Sequence, residues 1–311
     1  MRLGAFRSFS SFVHFRSLKM NYKVAEFYFS VQFPATMDVD KLLPSFKPFR
    51  CEQAGDLLFH MEAIHETLVM DGNAELWEES VNDMGYTRLM KTDNGYCVTL
   101  RYTECGREHT MLADGRFTSL RAAIDWTDPY AGAVLCSMLR IAYAQAVVYH
   151  RAVSIHASVV CLQDRGYLFM GKSGTGKSTH ASLWREAFEG CELLNDDNPT
   201  IRLTDEGCMV YGTPWSGKTP CYKDKRCLLA GMARLKQAGV NRFFLQEDIG
   251  AFATVLPGCS VIRKDAAHYD ALCATLVELV GRVRTGLMLC LPNKDAAIVC
   301  RAGLEGITEK S

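Results

Sequence analysis

Eight consecutive residues, Gly171-Lys172-Ser173-Gly174-Thr175-Gly176-Lys177-Ser178, fit the phosphate-loop pattern G-x-x-x-x-G-K-[ST] at every fixed position. Glycines at 171, 174 and 176 let the backbone turn tightly and aim successive N–H groups at phosphate oxygens. Lys177 is then placed to bridge β- and γ-phosphates, and the Ser178 hydroxyl to ligate Mg²⁺. Asp196 and Asp197 follow eighteen and nineteen residues after Ser178. Phosphoryl transfer needs carboxylates to hold the metal and to take the proton of an attacking hydroxyl, so two adjacent acids beside such a loop can divide those jobs. A polar turn before Pro199 is the plainer alternative. His156 lies fifteen residues before Gly171, in the apolar run Val153-Ser154-Ile155-His156-Ala157-Ser158. Alone, such a histidine is more often a satisfied core residue than a functional one.

These residues need elements to hold them. Tyr167-Leu168-Phe169-Met170 reads as a strand running into the loop, and Ser178–Phe188 as a helix running out of it, ended by Gly190. Ser154–Leu162 reads as a further strand, Leu193–Leu203 as extended chain interrupted by Pro199, Met209–Tyr211 as a strand and Ala266–Val283 as a core-packing helix. Strand and helix signals alternating in this way make residues 150–311 an α/β unit. Upstream, the aromatic and β-branched run from Asn21 to Gln32, then Leu57–Ala63, Arg88–Lys91 and Tyr96–Tyr102, give an antiparallel, β-rich unit. Asp93-Asn94-Gly95 supplies a hairpin turn in it. That unit, 20–149, closes with an apolar helix over Ala131–Tyr149 and contains no catalytic constellation.

The ordered set of His156, the phosphate loop and Leu193-Leu194-Asn195-Asp196-Asp197 resembles the catalytic domain of the HPr serine kinase/phosphorylases and related kinase-like proteins. The resemblance is firm over about 150–235. It implies a mixed-sheet P-loop domain of the HPr kinase/phosphoenolpyruvate carboxykinase type, preceded by the β-rich N-terminal domain. It further implies a nucleotide-binding set of Gly171, Lys172, Ser173, Gly174, Thr175, Gly176, Lys177, Ser178 and Thr179, with ATP and Mg²⁺ as cofactors. Asp197 would be the base, His156 would lie near the phosphate and metal centre, Lys177 would hold the transferred phosphate, and Ser178 and Asp196 would serve the metal with Asp197. The chain departs from the bifunctional enzymes, because their glycine-rich signature with a metal-binding Glu and an Arg is not found. In its place stands Gly212-Thr213-Pro214-Trp215-Ser216-Gly217-Lys218, followed by Lys223, Lys225 and Arg226. Those four cations either cover the triphosphate or form a solvated basic loop, and Trp215 either stacks on a base or packs.

The expected activity is ATP-dependent phosphorylation of a hydroxyl, a serine of a protein or peptide. A small-molecule kinase and a non-catalytic nucleotide-binding module are the alternatives. With Lys+Arg 35 against Asp+Glu 35, nothing recommends a nucleic acid or an anionic membrane as partner, since both demand a basic excess. The sequence holds no uninterrupted apolar run of spanning length, and the thirteen cysteines show no C-x-x-C pair, so the reading is a cytoplasmic protein with unpaired, buried thiols. A homo-oligomer is compatible with it. Residues 1–19 hold four cations and no acid, and are expected to be an unstructured extension or to precede the true start at Met20.

Overall fold

A computed structural model describes residues 17–307 except 53, 54, 66, 69–71, 83 and 218. The fold is mixed α/β, with two mixed sheets.

The first sheet comprises β1 (Ser17–Val24), β2 (Phe27–Pro34), β3 (Arg50–Cys51), β4 (Leu57–Ile64), β5 (Ala74–Asn82), β6 (Gly85–Thr92), β7 (Gly95–Arg101), β8 (His109–Asp114) and β9 (Ser119–Ala123). Its spatial order is β3-β1-β2-β4-β9-β8-β7-β6-β5. The expected antiparallel unit is corrected here: β2 runs parallel to β4, and β4 parallel to β9, while the other pairs are antiparallel. β1 also begins earlier than expected. Ser17, Leu18 and Lys19 pair with Pro34, Phe33 and Gln32, so a chain starting at Met20 would lose three ladder residues; the rest of the 1–19 expectation lies outside the described residues.

A single turn, α1 (Val39–Leu42), leads toward the long apolar helix α2 (Ala131–Val147), which continues as a short 3-10 turn to His150. By length and composition Ala131–His150 could cross a membrane, but 67% of it is buried inside the fold. Val134, Leu135, Met138, Leu139, Ala142 and Tyr143 are all inaccessible, in one core with β2, β4 and β7. Tyr211 and Trp215 of the second unit join that same core, so α2 is the joint between the two sheets. Trp215 therefore packs rather than stacking on a base: its ring meets Tyr143 and Phe46, and its indole N–H donates to Cys136 O.

The second sheet comprises β10 (Ala152–Ser154), β11 (Ala157–Leu162), β12 (Arg165–Met170), β13 (Glu192–Asn195), β14 (Thr200–Thr204), β15 (Gly207–Tyr211), β16 (Arg226–Gln237), β17 (Arg242–Gln246) and β18 (Thr285–Cys290). The path β10-β14-β15-β16-β12-β11-β13 carries β18 on β16 and β17 on β18. β12 lies between parallel β16 and antiparallel β11. Leu168 and Met170 face one core with α4 (Asp248–Val255) and α5 (Ala266–Arg282), while Tyr167 and Phe169 face another with α3 (Lys177–Ala187) and α6 (Lys294–Glu305). Burial on both faces is why this strand reads as a continuous apolar run rather than an alternating one.

Two further expectations are corrected. The run Ser154–Leu162 is broken: Ile155 and His156 leave the ladder between β10 and β11, so His156 sits at an interruption rather than on a strand. Cys161 of β11 and Cys227 of β16 form a disulfide across β12 beside Gly166, so not all thiols are unpaired.

Candidate functional site

Gly174 has φ +79 and Gly176 φ +99, a left-handed backbone that side chains resist, and Gly176 caps α3. The loop thus turns directly into the helix N-terminus, where the unpaired N–H groups and the dipole favour an anion. Lys177 is the first helical residue and is only 8% exposed. Its Nζ donates to Gly171 O at 3.0 Å and lies 2.9 Å from His156 Nε2. Burial, the largest influence, lowers its pKa; Asp197 and Asp196 push the other way and Arg234 adds to the lowering.

An ammonium only donates, so His156 Nε2 is the acceptor and the imidazole proton is assigned to Nδ1, which donates to Asp197 Oδ1 at 3.0 Å. Asp197 Oδ2 accepts from Arg140 at 2.8 Å. Burial favours the neutral acid, but the His156 hydrogen bond and the Arg140 charge outweigh it and hold the Asp197 carboxyl below the usual range. A chain Lys177–His156–Asp197–Arg140 results, crossing from α3 through the β10–β11 break to the turn after β13 and on to α2.

The adjacent Asp196 accepts from Ser158 Oγ at 2.6 Å through Oδ1, while its buried Oδ2 has no partner. The turn holding both acids is built by Asn195, which is fully inaccessible. Its Oδ1 accepts from the backbone N–H of Asp197 at 3.0 Å and of Asn198 at 2.9 Å, and its Nδ2 donates to Trp215 O at 3.0 Å. Thr213 to Gly217 are thereby drawn against the acids. A Cβ on Gly217 would stand 2.8 Å from Asp196 O.

Arg234 of β16 pairs in register with Met170, the residue before Gly171. Its Nε donates to Thr254 O, its Nη2 is buried without a partner, and burial lowers its pKa.

His156, Lys177, Asp196 and Asp197 are thus gathered around the end of β12, and Gly171 to Thr179 form the loop and the first helical turn. Of the two readings of the cations after Trp215, cover over the triphosphate finds no support among the described residues. Lys223 and Lys225 both pair with Glu192 at the opposite end of β13 from the acids, and Arg226 pairs with Glu206 and Glu26. Lys218 lies outside the described residues. Sequence reasoning passed over Arg140, Ser158, Asn195 and Arg234. Arg140 carried a signal, being the only charged residue in the Ala131–Val147 helix.

Among the described residues no cluster of three or more His, Cys, Asp or Glu side chains could hold a metal by itself. The donors present suit Mg²⁺, which takes one or two carboxylates and completes its shell with substrate phosphates and water. Asp196, with an unshared buried oxygen, and the Ser178 hydroxyl fit that role.

No protein-family model matches the chain, and no curated protein does. Solved structures match it in part. One is the Hpr(Ser) kinase/phosphatase from Coxiella burnetii, 10% identical, with 49% of this chain and 88% of that chain covered and a TM-score of 0.29. That resemblance is weak.

Proposed function

We propose that the protein is an ATP- and Mg²⁺-dependent kinase of the HPr kinase-like type that transfers the γ-phosphate to a hydroxyl. The observation that carries this reading is a pair of buried orphans beside a phosphate loop: the Asp196 Oδ2 acceptor and the Arg234 Nη2 donor. Buried polar atoms without partners are rare and costly, and a metal–phosphate ligand would satisfy both signs at once.

The backbone of Gly171 to Ser178 and the α3 N-terminus would cradle the phosphates, with Lys177 turning from Gly171 O and His156 toward them. Bound Mg²⁺ would neutralise developing charge between the phosphates, held by Ser178 and Asp196. The acceptor oxygen would form a bond to the γ-phosphorus while the bond to the β–γ bridging oxygen breaks and its electron pair leaves with ADP. The acceptor proton would pass to the His156–Asp197 pair. Asp197 is the base of that pair and acts through the imidazole, because both its oxygens are engaged and 8% of its side chain is exposed, against 40% for His156. Losing Lys177 from Nε2 would free that atom for the task.

The test is nucleotide binding and turnover in the purified protein with Mg²⁺ and γ-labelled ATP. Lys177→Met should weaken nucleotide affinity at least about tenfold without lowering the melting temperature. A wild-type protein that binds no nucleotide overturns the proposal. A serine-type hydroxyl on a peptide and one on a small molecule both satisfy this chemistry, and the cavity beyond His156 favours the second.

A further inference from the structure

A cavity of about 490 Å³ lies between the first sheet, α2 and the 259–264 segment, and His156 and Arg140 stand in its lining. It therefore adjoins the point where the acceptor hydroxyl would meet the γ-phosphate. Its lining is mixed: Met84, Leu89 and Val98 from β6, β7 and the turn before them and Ile141 from α2 supply apolar surface, with Thr87 and Gln145 among the polar residues beside them. Among the described lining residues, the exposed cations Arg263 and Lys264 outnumber the one carboxylate, Glu78, and Arg263 Nη2 donates to Leu256 O at 3.2 Å. Apart from His156 and Arg140, none of these residues belongs to the chain from Lys177 to Arg140.

The walls are pinned together. Tyr96 on β7 donates its hydroxyl to Asp265 Oδ2, Lys91 on β6 lies 3.6 Å from the same oxygen, and the His268 backbone N–H donates to Asp265 Oδ1 at 3.1 Å. Tyr149 reaches His268 Nδ1 at 3.1 Å, and Lys91 also covers the Trp77 and Tyr96 rings. This junction ties the first sheet to α5 directly below the 259–264 segment. The cavity volume is that of a small-molecule pocket.

Resting on the kinase reading above, we propose that this cavity is the acceptor site and that the acceptor is a small organic molecule with a hydroxyl, an apolar body and an anionic group. The hydroxyl points to His156, the apolar body fills the space against Leu89, Val98 and Ile141, and the anion lies at Arg263 and Lys264. Charge-assisted donors orient the molecule, and burial of the apolar body against Leu89, Val98 and Ile141 adds to the affinity.

The probe is 3-phenyllactate, which has all three features, compared with its neutral amide 3-phenyllactamide. Binding to the full chain loaded with Mg²⁺ and a non-hydrolysable ATP analogue is followed by calorimetry or ligand-observed NMR. The acid should bind at least tenfold more tightly than the amide. The Arg263→Gln/Lys264→Gln surface variant should erase that preference, and Ile141→Trp should weaken both probes at least tenfold while leaving affinity for the analogue unchanged. Equal binding of acid and amide, binding of neither, or a preference that survives the double variant overturns the acceptor assignment. Absence of nucleotide binding instead overturns the kinase reading, so the two failures are told apart by one titration. If Ile141→Trp does not fold, the surface variant decides by itself.

Discussion

His156 Nδ1 stands 3.0 Å from Asp197 Oδ1 while His156 Nε2 stands 2.9 Å from Lys177 Nζ, so one imidazole connects a buried carboxylate to the phosphate-loop lysine. The connection fixes the tautomer, and in the proposed mechanism the ring would be a proton path between Asp197 and whatever displaces Lys177. Replacing Asp197 by Asn keeps the shape but removes the charge. Phosphate transfer should then fall by about 10²- to 10⁴-fold, the usual worth of a positioned base, while affinity for Mg²⁺-nucleotide changes little. Unchanged transfer by Asp197→Asn would remove the base assignment.

Arg140 holds the other oxygen of Asp197 at 2.8 Å and helps depress its carboxyl pKa. With Arg140→Met that depression should shrink. Activity that needs ionised Asp197 is lost as pH falls through its pKa, so a higher pKa moves the acid limb of the rate profile to higher pH. A pH profile of kcat/KM for both proteins reads this directly, and coincident acid limbs would show that Arg140 does not act on Asp197.

Asp265 joins the first sheet to α5 through Tyr96, Lys91 and His268. Burial pushes its carboxyl up, but the Tyr96 hydrogen bond and those from His268 push further down, so its pKa in the folded protein lies below the ordinary value. A depressed carboxylate stabilises the fold fully above the unfolded value of about 4 and loses that contribution as pH falls below it. Asp265→Asn should cost about 1–3 kcal/mol at neutral pH and flatten the loss of stability in acid, measured by denaturant melts at pH 7 and below pH 4. A variant as stable as wild type at pH 7 would mean that the junction adds nothing.

The Cys161–Cys227 bridge spans 66 residues and crosses the strand that enters the loop, near its start at Gly166. Closing a loop of that length restricts the unfolded chain, and reduction should lower stability by about 2–4 kcal/mol. Thermal melts with and without reductant, repeated on Cys161→Ser/Cys227→Ser, check this: the double variant should match the reduced protein. Thiol labelling of all thirteen cysteines without reductant would show that the bridge does not form.

The loop at 171–178 was legible because its signal is local: glycines, Lys177 and Ser178 stand within eight residues, at backbone turns and a helix terminus. β12 was legible for a related reason, since a strand buried on both faces must be apolar throughout, whereas its parallel neighbour β16 was not read as a strand. β5 was not. Its residues are mostly exposed and mix charged with apolar side chains, so neither period shows. The two parallel pairings of β4 were hidden as well, because pairing direction is set by the connections and not by strand composition.

At the site the division is sharper. The order of His156, the loop and the acid pair is a property of the chain, and it narrowed the chemistry before any contact was known. That Arg140 belongs with Asp197 across 57 residues, and that Lys223 and Lys225 belong with Glu192 and not with a phosphate, was decided by packing. The sequence by itself determined which groups could do chemistry, because covalent spacing governs turns and helix ends. Only the tertiary structure decided which charges neutralise each other and where a cavity remains, because those depend on distances between elements far apart in the chain and on how completely water is excluded between them.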